Sequence, residues 1–200
     1  MCNECYKWNP VYKFVFAVKE AYLNKFKNVD YNEHVVNGKT VTCFEYWVYK
    51  LDDKEINDIV RYIQFNQKDK LLLVRYANYS DVLSGEEEVT LDDVWNMYDG
   101  FYLECRSIVF DLEKEKIVIA PFKKFRNIDE CPENSIENIR KEIENSSFFE
   151  FTNKLDGSMQ CATFYDGKII MSGSQAIDAE NRGDLKTDIE CWRKIRTISK

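Results

Sequence analysis

The segment from Met159 to Ser174, MQCATFYDGKIIMSGS, constrains the fold more than any other. Two short runs rich in apolar and aromatic residues flank Asp166-Gly167. Asp-Gly suits a two-residue turn in which both central residues take positive φ, the turn that matches the twist of antiparallel strands. The spacing therefore predicts a hairpin. Upstream, YLECRSIVFD (102–111) and KIVIAPFKKF (116–125) read as two more strands joined by the charged turn LEKE, and KLLLVRYA (70–77) as a buried strand. Residues 40–50, β-branched and aromatic, also read as a strand. Helical spacing marks 9–27, where Val11, Phe14, Val15, Val18, Tyr22 and Phe26 share a face. A second helix is predicted from Asp52 through Phe65, with an acidic first turn. A third starts at the cap-like Ser135 and carries Ile136, Ile139 and Ile143. A last amphipathic helix is expected over 184–199, and 85–100 reads as a polar insertion with one or two helical turns. The expected class is α+β, with mainly antiparallel sheets and flanking helices.

Bulk properties narrow the function. The chain has 200 residues, 44% of them apolar and 32% charged, with only 3 Pro and 7 Gly. That is enough for one substantial core and leaves little linker. No apolar run is long enough for a bilayer, and the first residues lack a signal-peptide core, so a cytoplasmic setting is expected. The 7 cysteines are odd in number and scattered, unlike a disulfide framework. Cys2-x-x-Cys5 has no partner pair and His34 no companion, so no protein metal site is expected. A single histidine also argues against Ser-His or Cys-His catalysis. Gly38-Lys39-Thr40 resembles the end of a phosphate-binding loop, but Glu33 stands where its first glycine would be, so a turn before a strand fits better. The aromatics Phe44, Tyr46, Trp47 and Tyr49 fit core packing better than base stacking. A net charge of −7 argues against a general nucleic-acid coat. Yet between Arg106 and Arg126 stand Arg106, Lys114, Lys116, Lys123, Lys124 and Arg126 against Asp111, Glu113 and Glu115. A local anion site is expected there.

The segment Phe151-Thr152-Asn153-Lys154-Leu155-Asp156-Gly157-Ser158 carries the chemistry. A lysine at the end of an extended run is followed by x-Asp-Gly-Ser. A free lysine titrates at about 10.4, so a nucleophilic one needs burial or a neighbouring cation to lose its proton. Asp156 is placed to orient the amine or a metal-bound water. Gly157 lets the backbone approach a ribose or phosphate, and Ser158 adds a hydroxyl. Taken alone, the same residues fit a surface turn with a solvated lysine.

In its wider context this pattern resembles the covalent nucleotidyltransferases, the ATP-dependent ligases and capping enzymes, whose signature is K-x-D-G followed by an antiparallel hairpin. The nearer resemblance is to RNA ligases of the phage tRNA-repair type. There a Y-A-S-Y-S-D segment precedes an E-C-R-G strand and then P-x-x-K-F-F-N. This chain has Tyr76-Ala-Asn-Tyr-Ser-Asp81, Glu104-Cys-Arg106-Ser107 and Pro121-Phe-Lys-Lys124-Phe125-Arg126-Asn127, in the same order. The resemblance spans about residues 70–177.

It implies a ligase adenylation domain, with residues 1–65 as its N-terminal helix-and-strand region and 66–200 as its nucleotide-binding part. Lys154 would attack the α-phosphate of ATP, with Mg²⁺ on the phosphate oxygens. Arg106 and Lys124 would contact the triphosphate, and Phe125 would wall the pocket. Thr152 and Asn153 would meet adenine. AMP would then pass to an RNA 5′-phosphate for joining to a 3′-hydroxyl, with tRNA one candidate substrate of such RNA repair. Four differences from the family stand out. Ser107 replaces the glycine after the arginine, and Arg126 replaces the second aromatic of F-F-N. Met171-Ser172-Gly173-Ser174 lacks a basic residue. An acidic motif and a final Lys-x-Lys-like pair do not follow the hairpin, so the C-terminal part of the domain is expected to be missing and the site to be completed by a further segment or a second polypeptide. The alternatives are a non-catalytic nucleotide- or RNA-binding remnant, and a DNA ligase or capping-type enzyme.

Overall fold

The computed structural model describes residues 5–77, 91–151, 157 and 159–177. Helix α1, Pro10–Phe26, starts where Asn9 accepts from the amides of Val11 and Tyr12 (2.9 and 3.1 Å) and proline occupies the first turn. Val11, Val15, Val18 and Tyr22 recur at three- and four-residue intervals and are buried. A small hairpin follows, β1 (His34–Val36) and β2 (Lys39–Val41), turning at Asn37-Gly38 with φ of 50° and 78°. Gly38-Lys39-Thr40 is thus a turn entering a strand.

The strand expected over 40–50 is a helix for most of its length: α2, Cys43–Leu51. Thr42 and Glu45 decide it. The Thr42 hydroxyl accepts from the Glu45 amide (3.1 Å) while the Glu45 carboxylate accepts from the Thr42 amide (2.7 Å). The aromatic residues then fall at helical spacing, with Phe44 and Trp47 fully buried and Tyr49 exposed. Helix α3, Lys54–Val60, is capped by Asp53 and shorter than expected, because Ile63–Lys68 forms strand β3.

Strand β4 is Leu71–Tyr76. Helices α4 (Leu91–Asn96) and α5 (Phe101–Glu104) precede β5, Arg106–Asp111, and β6, Lys116–Ile119. Residues 102–104 are therefore helical, and 120–125 are irregular beyond the end of β6. Pro121 cannot donate to a strand ladder. Helix α6, Ile136–Asn145, is capped by Ser135 as expected, and β7 (Cys161–Tyr165) pairs with β8 (Lys168–Ser172).

β3 to β6 form one antiparallel meander. All four residues Leu71–Val74 are buried, because the sheet is covered on both sides. Leu72, Val74, Ile108 and Phe110 join the helical layer of α1, α2 and α5, with Val15, Phe44, Trp47 and Tyr102. Leu71, Leu73, Val109 and Ile119 face Ile170 of β8 and Ile177. The β7–β8 hairpin is thus a lid of apolar side chains on the far face. The Tyr165 hydroxyl donates to the fully buried Asp111 carboxylate (2.9 Å), and Lys114 pairs with Asp166 in the turn. The architecture is α+β with antiparallel sheets and flanking helices. Among the described residues no helix is long and apolar enough to cross a membrane.

Candidate functional site

The candidate site forms where β5 begins. Tyr76 donates its amide to the Cys105 carbonyl (2.7 Å), fixing the entry of β5 against β4. The pairing then slips: Val74 faces Ile108 while Arg75 faces Arg106, so Ser107 is an extra residue in a β-bulge. Its φ is 64°, in the left-handed region. That explains why a glycine suits this position, as in E-C-R-G, and why a serine here is strained. The bulge lets Arg106 and Ser107 turn differently from the regular alternation. The Ser107 hydroxyl donates to the Ser174 carbonyl (2.9 Å), tethering the segment after β8 to the start of β5.

The strip 121–126 lies beside this bulge. The Lys124 amide donates to the Leu103 carbonyl (2.7 Å). The Arg106 guanidinium sits over the Phe125 ring, 4.8 Å from its centroid, and donates to the Lys123 carbonyl at 3.5 Å. The Lys124 ammonium lies over Trp95 (5.3 Å), and Arg126 donates to the Asn96 side chain (3.1 Å). Arg106, Lys124 and Phe125, picked out by sequence, therefore meet on one seam between β5, the strip and α4. Phe125 remains half exposed.

From the hairpin side, Cys161 opens β7. Burial pushes its thiol up, and the positive charge of nearby Arg106 works against that shift. Opposite Cys161 stands Ser172, fully buried, whose hydroxyl has no partner among the described residues. The Gln160 amide oxygen is also buried without a partner among the described residues, and a Cβ at Gly173 would lie in contact with the Gln160 amide at 3.4 Å. Unpartnered polar atoms at the open end of a hairpin suit a polar ligand. Gly157 has φ of 148°, a conformation that L side chains rarely adopt, and among the described residues nothing lies within 4 Å of where a Cβ would be. Lys154, Asp156, Thr152, Asn153 and Ser158 lie outside the described residues, as do residues 78–81 of the upstream block and the helix expected over 184–199.

Arg106, Lys123 and Lys124 form no ion pair among the described residues. Cations without carboxylate partners, next to unpartnered polar groups, can take a phosphorylated ligand. No group of three His, Cys, Asp or Glu able to hold a metal ion is found among the described residues. Trp95, Gln160, Cys161 and the Ser107–Ser174 tether had no sequence reading, since each depends on contacts between distant segments. Only the departure of Ser107 from glycine hinted at the bulge.

The site is thus a cationic and aromatic seam at one edge of an α+β domain, a class suited to phosphorylated ligands. Residues 104–194 match the family model described as RNA ligase. The match begins at Glu104, takes in the bulge, the strip and the hairpin, and spans Lys154. This region of the chain is similar to that family. No curated protein and no solved structure gives a match to the chain.

Proposed function

We propose that the chain is the ATP-dependent adenylation part of an RNA ligase, of the phage tRNA-repair type, with Lys154 as nucleophile. The observation that carries this is the seam of Arg106, Lys124 and Phe125, lying within the same region that resembles RNA ligases. The Lys154 amine, having lost a proton, attacks the α-phosphorus of ATP. A P–N bond forms, the bond to the bridging oxygen breaks, and pyrophosphate leaves. Arg106 and Lys124 offset the charge on that leaving group, and their positive field favours a neutral amine nearby. Phe125 walls the pocket, Thr152 and Asn153 contact adenine, and Gly157 and Ser158 lie along the ribose and phosphate. Asp156 orients the amine. Mg²⁺, held on the phosphate oxygens, would neutralise charge there. An RNA 5′-phosphate oxygen then takes the adenylate from Lys154, and a 3′-hydroxyl displaces AMP to join the ends.

Incubation with Mg²⁺ and ATP labelled at either the α- or the γ-phosphorus tests the reading. The expected result is denaturation-stable label from the α-position only, absent in Lys154→Ala. Label that survives Lys154→Ala, or label from the γ-position, would overturn it.

A further inference from the structure

Residues 93–100 precede the region that matches the RNA ligase family, which begins at Glu104, yet they hold its cationic strip in place. Trp95 is only 5% exposed, and its ring meets that of Tyr76 edge-on, with centroids 4.9 Å apart and planes at 86°. Tyr76 is itself bound through its amide to Cys105, so the indole is fixed relative to the head of β5. The Lys124 ammonium lies 5.3 Å from the centroid of the Trp95 ring, while the Lys124 amide is bound to the Leu103 carbonyl. The lysine is thus held at both ends, its backbone by α5 and its ammonium by α4. One residue further along α4, the Asn96 side chain accepts from Arg126.

A sharp bend brings α4 to this place. Tyr98, Asp99 and Gly100 are all left-handed, with φ of 49°, 54° and 76°. L-residues take that conformation singly and at a cost, so a run of three persists only where the surroundings enforce it. Gly100 sits at the tightest point: a Cβ there would meet Leu103 at 3.3 Å and the Trp95 carbonyl at 3.9 Å.

The kind of restraint decides what it is for. Lys19, Lys70 and Lys114 are each held by a carboxylate, from Glu115, Glu113 and Asp166, which offsets their charge. Lys124 forms no ion pair among the described residues. A ring face attracts an ammonium through its quadrupole and brings no net charge to compete with a phosphate. Lys124 is therefore restrained with its positive charge still on offer. A lysine side chain has wide rotamer freedom, which an incoming anion must otherwise freeze. We propose that Trp95 is a positioning residue, holding the Lys124 ammonium where the triphosphate of the nucleotide arrives, with Asn96 stapling the strip through Arg126. The identity of that ligand rests on the adenylation reading.

The test is the affinity of the full chain, with Mg²⁺, for an ATP whose α–β bridging oxygen is replaced by methylene, so that binding is read without transfer. Equilibrium dialysis measures it. Fluorinated tryptophans placed at position 95 keep the shape of the buried ring and drain its negative face. Affinity falls stepwise with each added fluorine, by about three- to fivefold in the most fluorinated ring. Trp95→Leu loses as much, and Trp95→Phe retains part of the affinity. In Lys124→Met the same fluorinated residues change nothing further, because their effect passes through the missing ammonium. A merely structural Trp95 gives no dependence on fluorine, or an equal loss in both backgrounds; either result overturns the proposal, as does a chain that binds no nucleotide. Labelling of the unaltered chain by α-labelled ATP is read separately. A chain that takes no label, yet shows the stepwise loss through Lys124, keeps the positioning role and ends the adenylation reading.

Discussion

Ser107 sets two opposing terms against each other at one residue. Its φ of 64° costs an L-residue about 1–2 kcal/mol relative to a right-handed conformation. Its hydroxyl returns about 1 kcal/mol through the 2.9 Å hydrogen bond to the Ser174 carbonyl, and Ser174 is exposed enough for water to replace that donor. Ser107→Ala removes the bond and keeps the strain, so it should destabilise the chain by about 1 kcal/mol. Ser107→Gly removes both terms, so its stability should stay within about 1 kcal/mol of the unaltered chain. The glycine variant is therefore expected to exceed the alanine variant by about 1–2 kcal/mol, or at least ~2–4 °C in melting temperature for a chain of this size. Urea unfolding of the three proteins, followed by tryptophan fluorescence, reads the difference. An alanine variant as stable as the glycine variant would refute a left-handed bulge at the head of β5.

Two further outcomes concern the lid. Tyr165→Phe removes the hydroxyl donor of a fully buried carboxylate, leaving that oxygen of Asp111, among the described residues, Lys70 at 3.8 Å; it should cost about 2 kcal/mol in chemical unfolding. Lys114, hydrogen-bonded to Asp166, holds that carboxyl below the usual carboxylate range. A lowered folded value means the contribution is complete above the unfolded pKa of about 3.9 and is lost as pH falls through and below it. Thermal melts from about pH 6 downward should therefore show a smaller acid loss in Asp166→Asn than in the unaltered chain, and equal losses would contradict the pairing.

Much of the fold is legible in local signals. Asp166-Gly167 has φ of 49° and 77°, and the register closes Tyr165 on Lys168 as a two-residue turn requires. The apolar stripe of α1 and the Ser135 cap of α6 are equally local. Residues 40–50 misled because β-branched and aromatic composition masks the Thr42-x-x-Glu45 capping box, the stronger signal there. Helix α3 ends early because Ile63 to Lys68 gains a full ladder with β4, a tertiary reward invisible in its own spacing. For the site, spacing alone gave a local excess of positive charge. That Arg106 meets Phe125 follows from the strip after β6 folding back beside the bulge, and that Cys161 and Ser174 approach β5 follows from the lid folding over the sheet. Such contacts join residues tens of positions apart, which no local pattern encodes.

In the proposed reaction one lysine carries the adenylate. After reaction with ATP and Mg²⁺, proteolysis and tandem mass spectrometry should locate a single AMP adduct on Lys154, with unmodified lysines at 123 and 124. An adduct on any other side chain, or ATP bound without covalent transfer, would contradict it.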